Sequence, residues 1–369
     1  MASPPSLTTD EFRLLTWSRP ELTRMTIQLQ SLQRHCPLDN GRLQQSTVFE
    51  AKCTASPSNI GDLEALPIEI IHSVFNILDL QSLTISRAIS WRARALIDSF
   101  PPYIAIVKHS PDALRALLSA HMAIHFTAQD IFDTLCTQAC LSCGQFGPFL
   151  DIFTGYRHCV TCVTYSDNLL SITASSAKKE FGLSSKSMRT LPTLLSIPGQ
   201  YTESERTYER RISLVRILSA AAAAAGSMQQ EESNASYPRT RPMGRRRVPQ
   251  PAQLPQPPVS HQLLQQLDRH GQNPYRFMAM IRLPFLDRRT GNLDWGVSCQ
   301  ACRLGPRDKR RGYYNWNTVY SAAGYMEHFQ KCEVSQIGRK VVPGYIVPTG
   351  GNQGSSDAQF LGFLSNFKF

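Results

Sequence analysis

Residues 140–162 read CLSCGQFGPFLDIFTGYRHCVTC, two CxxC pairs separated by fifteen residues. A CxxC turn directs two sulfurs at one point, and two such turns complete the tetrahedron of a zinc ion. The candidate ligands are Cys140, Cys143, Cys159 and Cys162. Gly144, Gly147, Pro148 and Gly155 supply turns, and FLDIFTGYR between the pairs reads as a hairpin. Cys136 and His158 stand near enough in sequence to replace one ligand, and the spacing leaves that choice open. Other chemistries fit less well. A redox CxxC needs one pair at a helix start after a strand, with no second pair facing it. A catalytic zinc keeps a coordination position open, whereas four thiolates close the sphere. A RING needs eight ligands in a crossed arrangement, and free buried cysteines are the plain alternative.

A second set lies further on. Cys299 and Cys302 form another CxxC, and His328 and Cys332 follow at i and i+4 in NTVYSAAGYMEHFQKCEVSQ, which reads as a helix. That spacing projects both side chains from one helix face toward one metal. The 25-residue gap is longer than in nucleic-acid-reading fingers, and Tyr325, Met326, Glu327 and Gln330 make no basic recognition surface. The cofactor expectation is structural zinc at two sites. Cys36 and Cys53 are solitary; His35 adjoins Cys36, but sequence neighbours on a helix point apart. No HExxH, GxSxG or phosphate-loop signature occurs, so the chain reads as non-catalytic.

The elements that must position these residues sit in a chain of 369 residues, long enough for two or three units. MASPPSLTTDEF shows no signal-peptide pattern, and LVRILSAAAAAAG is too short and too interrupted for a bilayer span. The expected setting is intracellular and reducing, which favours thiols and metal ligands over disulfides; cytoplasm and nucleus both stay open. Net charge is +11. Residues 1–225 carry 20 Lys or Arg against 19 Asp or Glu, leaving 19 against 9, or +10, for residues 226–369. RTRPMGRRR at 239–247 and RLGPRDKRR at 303–311 concentrate it, as solvated loops or as contacts for phosphate, an acidic protein or an import receptor.

Helices are expected at 20–36, at 110–121 after the cap Ser110, at 127–138 after the cap Thr127, and from 202 to Gly226; SKSMRTLPTLLSIPGQY between reads as irregular. At 66–100 the apolar residues Ile70, Ile71, Val74, Phe75 and Leu78 recur at helical spacing, then a break at Asp79–Leu80 precedes two more short helices. Three helices this short cannot bury enough apolar surface alone, so something must cover them. A plain core-facing stripe is the simpler reading of the spacing.

The order Leu66, Pro67, Glu69, Ile70, then Asp79, Leu80, Ser82, Leu83, Arg87, Ile89, Ser90, Arg92, Arg94 and Leu96 resembles the F-box. Followed by DSFPPY, it is similar to the fungal F-box proteins, over about a ninth of the chain. The resemblance implies docking of a Skp adaptor, and through it a cullin scaffold with a RING subunit. It places the Skp contact at Leu66, Pro67, Ile70, Ile71, Val74, Leu80, Leu83 and Ile89.

The expected architecture is mainly α, multi-domain (α+β): a three-helix F-box followed by helices and two small zinc-stapled knuckle units. The expected divisions are a leader at 1–61, the F-box at 62–103, a helical region at 104–226 with the knuckle at 136–165, a proline-rich linker at 227–260, a second zinc-binding unit at 261–345 and a flexible tail at 346–369. The expected function is an F-box substrate receptor of a ubiquitin ligase, holding an unknown protein substrate on its zinc-stapled remainder, with no membrane association. The alternative is a zinc-containing, nucleic-acid-associated protein acting through its basic carboxy-terminal unit, which salt-dependent binding would reveal. No WD or leucine-rich repeat marks a substrate surface.

Overall fold

The computed structural model describes residues 7–36, 60–201, 207–232, 259–268, 273–304 and 317–332. Cys53, the cluster at 239–247, most of the one at 303–311, the proline-rich stretch and the tail lie outside them. The chain divides into two compact units: Pro20–Asp294, and a smaller one built from Met1–Arg19 together with Trp295–Phe369.

In the larger unit, three short helices cover Ile68–Phe75, Leu80–Ser86 and Trp91–Asp98. Asp79 caps the second, its carboxylate accepting the Ser82 amide at 2.8 Å, and Ser90 caps the third by accepting the Ala93 amide at 3.1 Å. These helices are welded to the next stretch of chain. The Leu80 amide donates to the Phe126 carbonyl at 2.9 Å, and the Tyr103 hydroxyl lies 3.1 Å from Thr84 Oγ1. Arg87 and Asp98 form a two-bond pair at 2.6 and 3.0 Å near the junction. Pro101–His109 opens on two prolines, and Pro111–Ser119 is buried along most of its length. Thr127 and Asp130 cap each other at the head of Ala128–Leu135.

Two three-stranded antiparallel sheets come next. One orders Arg157–His158, Phe149–Asp151 and Met280–Arg282; the other orders Ser171–Thr173, Ser213–Arg216 and Leu194–Leu195. A buried ion pair between Arg216 and Asp151 joins them. The second sheet packs Ile172 and Val215 with Ala177, Leu183, Ala220 and Leu264 in one apolar cluster.

The structure corrects several expectations. The helix expected from 202 to 226 is a strand at Ser213–Arg216 and a helix only from Ile217 to Glu232. Pairing of Val215 with Ile172 across the sheet outweighs the helix propensity of the Glu- and Arg-rich run before it. Gly226 does not stop the helix, since glycine inside a helix costs only about 1 kcal/mol. The stretch read as irregular carries a helix, Ser185–Thr190, and two short strands. The helix expected at 20–36 is two, Pro20–Arg24 and Leu29–His35, and burial of Leu22, Ile27 and Leu32 ties this part of the leader into the core.

The domain boundary near 261 also moves. Met280–Arg282 belongs to the larger unit, because it pairs with Phe149–Asp151. The smaller unit instead recruits Thr9–Leu15 and Thr16–Trp17, which join Ser298–Cys299, Gln300–Leu304 and Ala322–Lys331.

Candidate metal centres and docking face

The four-cysteine centre is assembled by knuckle, hairpin and helix. The first knuckle closes with the Gly144 amide donating to the Cys140 carbonyl at 2.9 Å, and Gly144 takes φ +76°, which a side chain would resist. The hairpin pairs Phe149 with His158 and Leu150 with Arg157. Asp151 ties its turn by accepting from Thr154 Oγ1 at 2.8 Å. Gly155 in that turn has φ +74°, and a Cβ there would lie 2.7 Å from the Phe126 ring. Gly155→Ala is therefore expected to cost about 2–3 kcal/mol by strain and overlap together, read as a shift in the denaturant midpoint. The second pair opens the helix Val160–Tyr165, where the Cys162 amide donates to Cys159 Sγ at 3.4 Å.

The sulfurs of Cys140, Cys143, Cys159 and Cys162 all lie within 4.8 Å of one another, with Cys143 to Cys159 at 3.5 Å. A tetrahedral zinc with bonds of about 2.3 Å places its sulfurs about 3.8 Å apart, so the donor set fits. The substitution left open by the spacing is answered by geometry. His158 sits with Nδ1 4.0 Å from Cys140 Sγ and 3.4 Å from Ser142 Oγ, outside the four-sulfur group, and Cys136 lies beside Arg288. Crowding four thiols without a cation is costly. The hydrogen bond from Cys159 holds the Cys140 thiol far below its ordinary value; that same bond and burial push Cys159 up, and burial pushes Cys162 up to about 12. A divalent metal relieves this by letting all four ionise together.

The second centre repeats the knuckle. The Cys302 amide donates to Cys299 Sγ at 3.4 Å, the same i to i+3 bond as at Cys159. Cys302 Sγ lies 3.7 Å from Cys332 Sγ and 3.4 Å from His328 Nε2, and all four ligand atoms lie within 4.8 Å. Cys332 is the residue after the helix Ala322–Lys331 rather than within it, with extended backbone that swings its sulfur back toward the metal position. The Tyr320 ring stacks on His328 with centroids 4.5 Å apart and fixes the imidazole plane. Burial opposes protonation of His328, but hydrogen bonds to Cys299 and Cys332 raise it to about 9.

A different kind of site covers the short helices at 68–98. Among the residues expected to meet a partner, Leu66, Pro67, Ile70, Val74 and Ile89 are exposed, Ile89 to 74%. Leu63, Ile68, Ile77, Ile85 and Trp91, outside the expected contact set, are exposed as well. Ile70, Val74 and Ile77 follow the i, i+4, i+7 spacing of one helix face. Ile71, Leu80 and Leu83 are instead buried, the last two completely. Their expected place in the contact is corrected: they hold the helices together and cannot face a partner.

Residues 63–105 match the F-box domain family, so the chain carries an F-box domain. Such a domain is the element by which non-catalytic adaptors attach to Skp in Skp–cullin–F-box ubiquitin ligases. No curated protein and no solved structure matches the chain. Among the described residues, no helix is long and apolar enough to cross a membrane.

Proposed function

We propose that the chain is a substrate-receptor subunit of a Skp–cullin–F-box ubiquitin ligase. The F-box domain docks a Skp adaptor, the ligase's RING subunit and conjugating enzyme perform the transfer, and the rest of the chain holds a protein substrate. Two structural zinc ions, one on Cys140, Cys143, Cys159 and Cys162 and one on Cys299, Cys302, His328 and Cys332, stiffen that remainder. The carrying observation is the row of large apolar side chains left in solvent between Leu63 and Trp91, while Ile71, Leu80 and Leu83 complete an internal core. Exposed apolar side chains gathered in this way mark an interaction surface.

The exposed members are therefore the contact residues: Leu66, Pro67, Ile70, Val74 and Ile89, with Ile77 and Ile85 added. Co-expression with a Skp adaptor tests this. Wild type is expected to co-purify, and Ile70→Glu to lose more than about 100-fold in affinity, since a carboxylate without a partner is desolvated on docking. Because Ile70 is 49% exposed, its melting temperature should stay near wild type, whereas Leu80→Ala should lower stability by about 3 kcal/mol. Equal recovery of the adaptor with wild type and Ile70→Glu, or no recovery with either, sinks the reading.

A further inference from the structure

The unit around the three-cysteine, one-histidine centre is built from both flanks of the chain, although all four ligands come from the carboxy-terminal one. Thr16 pairs antiparallel with the ligand Cys299, and Trp17 with Ser298. The Tyr325 hydroxyl, one turn before His328, donates to the Leu15 carbonyl at 3.1 Å, and the Phe12 ring meets the Tyr325 ring edge-on at 5.4 Å. Arg303 stacks over Trp17 at 3.7 Å, and Arg19 donates to Asn317 Oδ1 at 2.9 Å. The larger unit, Pro20–Asp294, continues at its two ends into the two halves of this assembly.

No ligand comes from residues 7–19, so the halves meet through that short strand pair, those hydrogen bonds and the ring contacts, on a floor that contains the ligands. The buried cluster among the described residues is Leu15, Cys299, Ala301, Cys302, Tyr325, Phe329 and Cys332, and three of its seven members are ligand cysteines. A core of that size does not offset the entropy of ordering two separate segments. With the metal present, the same cysteines are fixed at one point and the remaining apolar residues form a floor on which Leu15 and Phe12 rest.

We propose that the metal at this centre is a clasp that, by ordering residues 295–304 and 317–332, holds residues 7–19 onto them. Bound, it orders the surface on which residues 7–19 dock; lost, it releases the helix Thr9–Leu15 and the strand Thr16–Trp17. The inference rests on the reading that this centre holds a divalent metal. By linkage the coupling is reciprocal: whatever loosens residues 7–19 loosens the metal by the same factor.

The test uses the full chain loaded with zinc. Metal content and amide exchange over residues 9–17 are measured for wild type, Cys332→Ser and Tyr325→Phe. Wild type is expected to carry two zinc ions and to protect residues 9–17. Cys332→Ser should carry one zinc and lose that protection, with exchange over 68–98 unchanged. Tyr325→Phe, which leaves every ligand in place, should hold one zinc up to about fivefold more weakly in equilibrium competition with a chromogenic chelator, the factor supplied by one lost hydrogen bond. If Cys332→Ser still carries two zinc ions, the metal reading of this centre fails and the clasp with it. If it carries one while residues 9–17 stay protected, or if Tyr325→Phe holds both zinc ions with wild-type affinity, the clasp alone is overturned.

Discussion

Cys159→Ser is expected to empty the four-cysteine centre and unfold the chain around it, because Cys159 has two tasks at one position. Its sulfur is a candidate ligand 3.5 Å from Cys143, and it caps the helix Val160–Tyr165 by accepting the Cys162 amide. Structural zinc supplies on the order of 10 kcal/mol in small metal-held units, as much as the whole stability of an ordinary domain. The loss should spread along the sheet, since Phe149–Asp151 lies between the hairpin strand Arg157–His158, which leads into Cys159, and Met280–Arg282. Amide exchange at 149–151 and 280–282 should rise together, and native mass spectrometry should show one zinc fewer. The metal's contribution should also depend on pH with a defined sign. Cys159 and Cys162 titrate above the ordinary thiol value in the metal-free protein, so binding displaces protons and the metal-bound state holds fewer of them. Affinity therefore rises with pH, by about tenfold per unit for each proton displaced, and a chelator should strip the protein more readily at pH 6 than at pH 8. Protein purified without chelator that carries no zinc would sink the metal reading.

The four-cysteine centre was legible because every determinant is local: two CxxC turns, Gly144 and Gly155 at positive φ, and a hairpin short enough to see. The short helices at 68–98 were legible for the same reason, with Asp79 and Ser90 as visible caps. Which side of them faces water was not. Periodicity yields a stripe, but Tyr103 and Phe126 decide which part is covered, and they come from later in the chain. The family resemblance puts Leu80 and Leu83 in the contact, and in this chain they are core. The cover that three short helices require is thus partly supplied by the chain itself, leaving the Ile70, Val74 and Ile77 face open. Long-range pairing hid the rest. Val215 becomes strand because Ile172 lies opposite, and Thr16 joins a metal unit because Cys299 lies opposite, across most of the chain. A pairing of that span leaves no periodic trace in either segment.

Arg157 is the case with least trace in sequence and a large expected effect. In TGYRHC it reads as one more basic residue on a turn, yet it is 2% exposed and has no carboxylate partner among its hydrogen bonds. All five guanidinium N–H groups are matched by carbonyls. Nε donates to Thr134 at 2.8 Å, Nη1 to Gly147 at 2.8 Å and Leu283 at 2.9 Å, and Nη2 to Leu135 at 3.2 Å and to Pro284. These acceptors lie at the end of the helix Ala128–Leu135, at the exit of the first knuckle and just past the strand Met280–Arg282. The Thr134 and Leu135 carbonyls also lie at a helix C-terminus, where a cation is favoured. Burial lowers the Arg157 pKa to about 9, which still leaves it charged at neutral pH. Its own carbonyl accepts the Leu141 amide at 2.9 Å, so one residue pins both knuckles to the helices and the sheet. Arg157→Met would keep much of the volume and take the guanidinium donor from five buried carbonyls, of which Thr134 keeps a backbone donor, the Thr137 amide at 3.1 Å. Each costs about 1 kcal/mol or more, offset in part because a buried cation no longer has to be desolvated. The expected net loss is about 4 kcal/mol in denaturant unfolding, together with faster zinc loss from the four-cysteine centre and unchanged retention at the second. Arg157→Lys keeps the charge but offers three donors from a single point instead of a planar fork, and should recover less than half of that loss. A midpoint for Arg157→Met within about 1 kcal/mol of wild type would show that water replaces the guanidinium and that the pin carries no weight.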